Sequence, residues 1–391
     1  MRSIFVAIVL AIVIGAVFTA PSLSHERVLT TVTFNREVVR ILNKKCIACH
    51  SADNMSVPMT SYEQTRPWAR AIEEEVLTRR MPPWRAVAGY GEFANDVALT
   101  NRELQLMVSW IEGNGPKTRE ERLIVNFDQG ETDIRDRLNP DFSRWQLGSP
   151  DLTAALAPEQ VAAGGSQVRR VVVSTGVSGE RWLRALEFKP EDRRVMRAVF
   201  FSVEGSGQWL GSWTPWYGVT TFPADTAVRL APGARIIAEV HYKGGSEPIM
   251  AGGSLGLYFA GGAPARSVED LVVNASPLPG GEGRPKFQGT ATLPADIVAL
   301  ALKPDVQAGV EAFEVSATKP DGTVQVLLLV RDALPEFPTP YINANPVHLP
   351  AGTQLRVTYY YKASAVADQP MPSALKLTIS ATSSSPLSTA R

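Results

Sequence analysis

Both cysteines of the 391-residue chain fall within "NKKCIACHSADN", residues 43–54. Cys46 and Cys49 stand three apart, and His50 follows at once. C-x-x-C-H is the spacing of covalent haem attachment. Two thiols so placed reach the two vinyl groups on one porphyrin edge to form thioethers, and the adjacent histidine comes under the iron as an axial ligand. A thioredoxin-like redox pair would want a strand before the first cysteine and a helix N-terminus beneath it. "TFNREVVRILNKK" precedes it instead, with Val38, Val39, Ile41 and Leu42 at helical spacing. Zinc would need two further ligands, and there is no second cysteine pair. The expected cofactor is one covalent haem c, bound through Cys46, Cys49 and His50.

Haem iron bound this way usually takes a sixth ligand, and "SYEQTRPWARAIEEEVLTRRMPPW" is suited to supply it. Ser61 and Gln64 have capping-box spacing, and Trp68, Ile72 and Val76 share a helical face. The helix is expected to run to Met81, where Pro82-Pro83 stops it. A methionine held at that end, against a rigid turn, is the expected distal ligand. Met55 and Met59 follow His50 too closely to reach the opposite haem face easily. Met107 sits in "NRELQLMVSWIEGNG", where Leu104, Val108 and Ile111 complete a core stripe. That helix has its own capping box, Thr100 to Glu103, and stops at Gly113-Asn114-Gly115-Pro116.

Residues 31–117 thus read as an early helix, the C-x-x-C-H motif, a middle helix, a ligand loop and a closing helix. The arrangement resembles an all-α class I cytochrome c domain. "FNREVVRILNKKCIACH", "YEQTRPWARAI", "RRMPPW" and "LTNRELQLMVSWIEGNGPK" closely resemble cytochrome c modules fused to copper monooxygenase-like domains in exported bacterial proteins.

Export is also legible at the N-terminus. One arginine precedes an apolar run from Ile4 to Ala20, followed by small residues and Pro21. Residues 1–24 read as a signal peptide, or as an uncleaved anchor, since the run is at the short limit of a membrane span. Either way the body of the protein is expected in the periplasm, soluble or attached to the membrane through that segment. Formal charge is +0, with 39 basic and 39 acidic side chains and no basic stripe, which excludes nucleic acid as a partner.

From about residue 140 the composition changes. "VRRVVVST", "RWLRALEF", "RVMRAVFFSV", "ARIIAEVHYKG" and "SLGLYFAGG" are short, β-branched and partly alternating, and Gly/Pro clusters separate them. Pro320-Asp321-Gly322 marks a hairpin between two apolar runs. "TQLRVTYYYKAS" and "ALKLTISATS" add further strands. A linker-like "NASPLPGGEGRPKFQG" (274–289) divides the region into halves at 140–273 and 286–382. The order of "RWLRALEFKPEDRRVMRAVFF", "LAPGARIIAEVHYKGG" and "GLYFAGG" resembles the copper type II, ascorbate-dependent monooxygenases, of which peptidylglycine α-hydroxylating monooxygenase is the familiar member. That resemblance implies two tandem jelly-roll-like β-sandwich domains, each holding one copper, one by three histidines and the other by two histidines and a methionine.

The ligands do not follow the resemblance. Met196-Arg197-Ala198 stands where the family has paired histidines. His241-Tyr242 keeps the third histidine of the first site, making His241 the one candidate remnant copper ligand. The chain has four histidines: His25, His50, His241 and His348. With His50 assigned to haem and His25 near the processing point, two remain for sites that need five. A weak site using His241, His348 and Met250 is the rival to an ordinary strand histidine, and copper is not expected. Trp209, Trp213, Trp216 and Tyr217 crowd into "GQWLGSWTPWYG" and are expected to pack between sandwich and cytochrome domain rather than form a ligand platform.

The function that follows is one-electron transfer by an exported monohaem c-type cytochrome, exchanging electrons with periplasmic redox proteins. The β region would dock or scaffold. The chain is expected to be an electron carrier rather than an enzyme. The enzymatic alternative is a copper-dependent monooxygenase of an organic substrate fed electrons by the haem. A third reading is an assembly subunit whose haem mainly staples the fold.

Overall fold

A computed structural model describes residues 30–51, 56–115, 117, 143–278, 285–362 and 371–383. The apolar N-terminal segment (1–24), His25 and Met55 lie outside these residues. No described helix is long and apolar enough to cross a membrane.

The N-terminal part is a set of short helices. A π-helical turn, Phe34–Val38, leads into α1 (Val39–Lys45), and α2 (Ile47–His50) carries the second cysteine and the histidine. Then come α3 (Tyr62–Thr65), a 3-10 turn (Arg66–Trp68), α4 (Ala69–Leu77) and α5 (Asn101–Glu112). Val38, Leu42, Ile47, Ile72, Val76, Met107 and Trp110 meet in one apolar cluster. The Phe34 ring stands edge-on to Tyr62 at 5.5 Å and tilted to Trp110 at 6.0 Å.

The caps follow the sequence closely at α5. Thr100 Oγ1 accepts from the Glu103 N–H at 3.1 Å, and Glu103 Oε2 accepts from the Thr100 N–H at 2.8 Å. The helix ends through Asn114 (φ 70°) and Gly115 (φ 59°), whose N–H returns to the Trp110 carbonyl. The left-handed φ at Gly115 is what favours glycine there; a Cβ would also meet the Arg66 side chain, which can move aside. At α3 half of the expected box forms. Ser61 Oγ accepts from the Gln64 N–H, but Gln64 Oε1 accepts from the Thr60 N–H and hydroxyl.

The end of α4 differs from expectation. The helix stops at Leu77, short of Met81. Thr78 donates its hydroxyl to the Glu74 carbonyl, and Arg79 takes a left-handed conformation (φ 54°). Arg80 and Met81 then both donate their N–H to the Glu75 carbonyl. The chain has already turned before Pro82 can act.

Among the described residues, seventeen strands follow. The first ten are β1 (Leu152–Val161), β2 (Ser166–Ser174), β3 (Arg181–Pro190), β4 (Met196–Val203), β5 (Trp209–Trp213), β6 (Val219–Thr221), β7 (Thr226–Leu230), β8 (Arg235–Lys243), β9 (Ile249–Phe259) and β10 (Arg266–Pro277). The remainder are β11 (Lys286–Thr292), β12 (Ile297–Pro304), β13 (Val310–Thr318), β14 (Val324–Val330), β15 (Tyr341–Leu349), β16 (Gln354–Tyr361) and β17 (Leu375–Ser383). The antiparallel sheet β2-β8-β4-β5 faces strands β1, β9 and β3 across a core that includes Leu156, Phe188, Phe201, Trp213, Val240 and Leu255. A second core holds Phe287, Phe313, Tyr359 and Leu377, between β10-β17-β12-β15 and β11-β16-β13-β14. Gly322 (φ 84°) turns the β13–β14 hairpin, with the Thr323 N–H donating to Asp321 Oδ1.

Two features tie the parts together. Much of the expected linker is strand, because β10 runs to Pro277 and β11 begins at Lys286. Val268 of β10 lies in the first β core, while Leu271, Val273 and Ala275 lie in the second. The segment between α4 and α5 also joins the second β core. Trp84 and Phe93 pack on Tyr341 at 5.2 and 5.3 Å, and Ala86 and Phe93 bridge to Val330 and Asn343. The molecule is therefore mostly β-sandwich, with a layer of few, short helices stitched onto it.

Candidate functional site

The C-x-x-C-H segment opens onto a cavity of about 280 Å³ between the helical layer and the β body. Cys46, Cys49, His50 and Met81 all line it, as do Met59 and Met107. Cys46 caps α1, and its carbonyl accepts from the N–H groups of Cys49 and His50, so one helical turn presents both thiols and the imidazole. Ile47, between them, is fully buried and pins that turn to the core. The thiols are free, and burial pushes Cys46 up to about 12 and Cys49 up to about 11. Thiols held neutral so firmly are poor redox nucleophiles, whereas a thioether, which carries no charge, meets no such penalty.

His50 Nδ1 lies 2.8 Å from the Val57 carbonyl oxygen. That oxygen can only accept, so Nδ1 carries the hydrogen and Nε2 keeps its lone pair. Burial lowers the His50 pKa, partly offset by this bond, and favours the neutral imidazole. A ligating histidine commonly has its other nitrogen anchored in this way. The Met59 N–H donates to the His50 carbonyl at 2.8 Å and so stands beside the motif.

The three methionines differ in freedom. Met59 and Met107 are buried members of the helical core. Met81 is 37% exposed and sits beside Pro82 and Pro83 on the cavity rim. Its thioether is the one not already committed to packing.

The opposite wall comes from the β body, through Met196 and Arg197 of β4, Pro215 and Trp216 after β5, and Phe337 between β14 and β15. Arg193 clamps the two sides together, donating from Nη2 to the carbonyls of Ala48 (3.1 Å) and Pro215 (2.8 Å). Its guanidinium lies 5.3 Å from the Trp213 ring centroid. Arg197 is 9% exposed, donates from Nη1 to the Arg194 carbonyl at 3.3 Å, and lies 5.3 Å from the Phe337 ring centroid. Burial draws both arginines down to about 10, which leaves them cationic at neutral pH. Arg197 Nε and Trp216 Nε1 are buried without a hydrogen-bond partner among the described residues.

The sequence reading placed Arg197 only as a replacement for a copper ligand and did not anticipate this wall. The visible signal was the tryptophan cluster, and its outcome is mixed. Trp209 and Trp213 are buried in the β body, and Trp216 faces the cavity between the two regions.

His241 sits on β8, edge-on to Phe200 at 5.6 Å, with Nε2 donating to Glu239 Oε1 at 3.2 Å. That bond, together with Arg170, depresses Glu239 to about 2 against the opposing effect of burial. His348 lies on β15 opposite Val298, and Met250 is exposed on β9. Among the described residues no three His, Cys, Asp or Glu side chains are grouped to hold a metal ion.

No protein-family model and no curated protein matches the chain. Among solved structures it is similar to the major capsid protein P2 of bacteriophage PM2, at 14% identity over 59% of this chain and 97% of that one, with a TM-score of 0.28. It is also similar to allantoicase from Saccharomyces cerevisiae, at 10% identity over 54% and 76%, with a TM-score of 0.21. Likeness this slight carries no argument about activity.

Proposed function

We propose that the chain is an exported monohaem c-type cytochrome that works in one-electron transfer. In this reading residues 31–117 form a class I cytochrome c-like unit, and the tandem β-sandwiches at 140–273 and 286–382, jelly-roll-like in type, dock it among periplasmic redox partners. The observation that carries it is the convergence of Cys46, Cys49, His50 and Met81 on one cavity.

The residues present fit the group. Cys46 and Cys49 would hold haem by thioethers, His50 would ligate its iron through Nε2, and Met81 would offer a second protein ligand. When bound, that group supplies reversible one-electron redox chemistry. The chain's contribution is positional. Val57 orients the His50 ring, Ile47 fixes the C-x-x-C-H turn, and Arg193 ties that turn to the β wall through the Ala48 carbonyl. With His50 and Met81 both offered to the iron, the group would serve electron transfer rather than substrate binding.

Acid-acetone extraction of the denatured, purified protein tests this directly, with iron and copper counted per chain. Colour should remain on the polypeptide with one iron per chain. Haem that extracts freely, or no haem at all, sinks the proposal.

A further inference from the structure

The β wall brings hydrogen-bond donors, rather than apolar side chains alone, to the cavity. Arg197 Nε and Trp216 Nε1 are buried there with no acceptor among the described residues. A buried N–H without an acceptor is costly, and a buried guanidinium without a carboxylate is more so. Glu336 is the carboxylate whose charge reaches Arg197, but it pairs with Lys243 Nζ at 2.7 Å. The other acidic or thiol group within reach is Cys49, which burial keeps neutral. The cavity is thus cationic on its β side, while its lining carboxylate, Glu75, stands on α4 across the cavity and pairs with Arg80 at 2.9 Å.

We propose that Arg197 and Trp216 are haem-binding residues supplied by the β region, their buried N–H groups donating to a haem propionate carboxylate. This rests on the haem reading above. The porphyrin periphery offers two carboxylates and otherwise only hydrocarbon, so a propionate is the acceptor these donors can find in a haem-filled cavity. The bond from Arg197 is charge-assisted, and that from the Trp216 indole is neutral and weaker. The β region becomes part of the redox site. Its buried positive charge favours the reduced, less positive haem and holds the potential up.

The test uses the full-length, haem-loaded protein with Arg197→Ala, Arg197→Lys and Trp216→Phe, and Arg194→Ala as control. Arg194 is half exposed and pairs with Asp192, away from the cavity lining. Each variant is read for covalently retained haem, midpoint potential and the propionate bending vibration in resonance Raman spectra. Haem should stay on the chain in all four. Arg197→Ala should lower the reduction equilibrium constant about tenfold, equivalent to about 59 mV, and Trp216→Phe by about a third as much on a logarithmic scale. Arg197→Lys should recover part of the potential, and Arg194→Ala should change nothing. The propionate band should move in Arg197→Ala and Trp216→Phe. If Arg197→Ala does not fold, Trp216→Phe carries the same test, since it removes one N–H and keeps an aromatic ring. Unchanged potential and propionate band in the folded variants, with haem still attached, overturn this proposal and leave the haem reading standing. Wild-type protein without covalent haem removes the haem reading itself.

Discussion

The two walls of the cavity are built in opposite ways. The helical wall is made of short elements, each under four turns, and its chemistry comes from neighbours in the chain: two thiols and an imidazole on one turn, and a thioether beside a Pro-Pro pair. The β wall is made of residues drawn from β4, the turn after β5 and a loop before β15, and what it supplies is buried charge and N–H donors with no partner among the described residues. Local sequence can make a covalent attachment point. A desolvated cation needs a large, rigid body around it, because a marginal one would open to water instead. On the electron-transfer reading proposed above, the contrast accounts for the joining of a small helical layer to so large a sandwich.

The sharpest way to break that contrast is to remove the local chemistry. Cys46→Ala or Cys49→Ala should leave at most one thioether and cut the yield of haem-loaded protein by about tenfold or more, since metal- or cofactor-coupled folding is lost with the ligand set. The β body, whose two cores contain neither cysteine, should keep its far-ultraviolet circular dichroism. Collapse of the β signal along with the haem would show that the walls fold as one unit.

Next in size is the axial ligand. Met81→Ala should abolish the sulfur-to-iron charge-transfer absorption and lower the reduction constant by at least about tenfold, about 59 mV. Met59→Ala, which hollows the helical core, should destabilise the fold by ~2–5 kcal/mol while keeping that band. Exchange of the two outcomes would place the ligand on the buried methionine.

How much of this was legible beforehand follows the same division. The turn that carries Cys46, Cys49 and His50, the α5 capping box and the strand segments rest on spacings of a few residues, and the chain carries those on its face. The end of α4 was misplaced because Arg79 adopts a left-handed conformation that arginine rarely takes, and no glycine or asparagine marks it. The shared strand β10 was read as entering a linker, since proline and glycine surround Pro277, although Ser276 and Pro277 still pair with Gln288 and Phe287. Arg197 and Trp216 stand more than a hundred residues from Cys49, so their meeting is a consequence of topology that no periodicity encodes.

The joint between the two regions offers a stability test. Asn95 is buried, with Nδ2 donating to the Pro340 carbonyl at 2.6 Å and Oδ1 accepting from the Ile342 N–H at 3.1 Å. Asn95→Ala strands both backbone groups and should cost ~3 kcal/mol. Haem absorbance and β circular dichroism followed through one thermal melt should shift down together. A separate early transition in the haem signal alone would show that the helical layer detaches first and that the joint, not the wall, is the weaker contact.

The smallest expected effect concerns how the β wall is held. Asp270 on β10, the strand shared by both β cores, accepts from the Trp209 N–H and from Gln208 Nε2, and so ties down β5, the strand that leads to Trp216. Burial pushes its carboxyl up to about 7, against the pull of the Trp209 N–H, Lys303 and Gln208. In the unfolded chain it ionises near the ordinary aspartate value of about 3.9. Between those values the folded protein binds a proton that the unfolded chain has released, so Asp270 makes stability fall as pH rises from about 4 to about 7, with no further loss above. Asp270→Asn cannot titrate, and the difference between its stability curve and that of the wild type should slope across that window and level off above it. Parallel curves would mean that Asp270 stays ionised throughout, fully satisfied by its donors, and that β5 is anchored by a permanent charge instead of a protonated carboxyl.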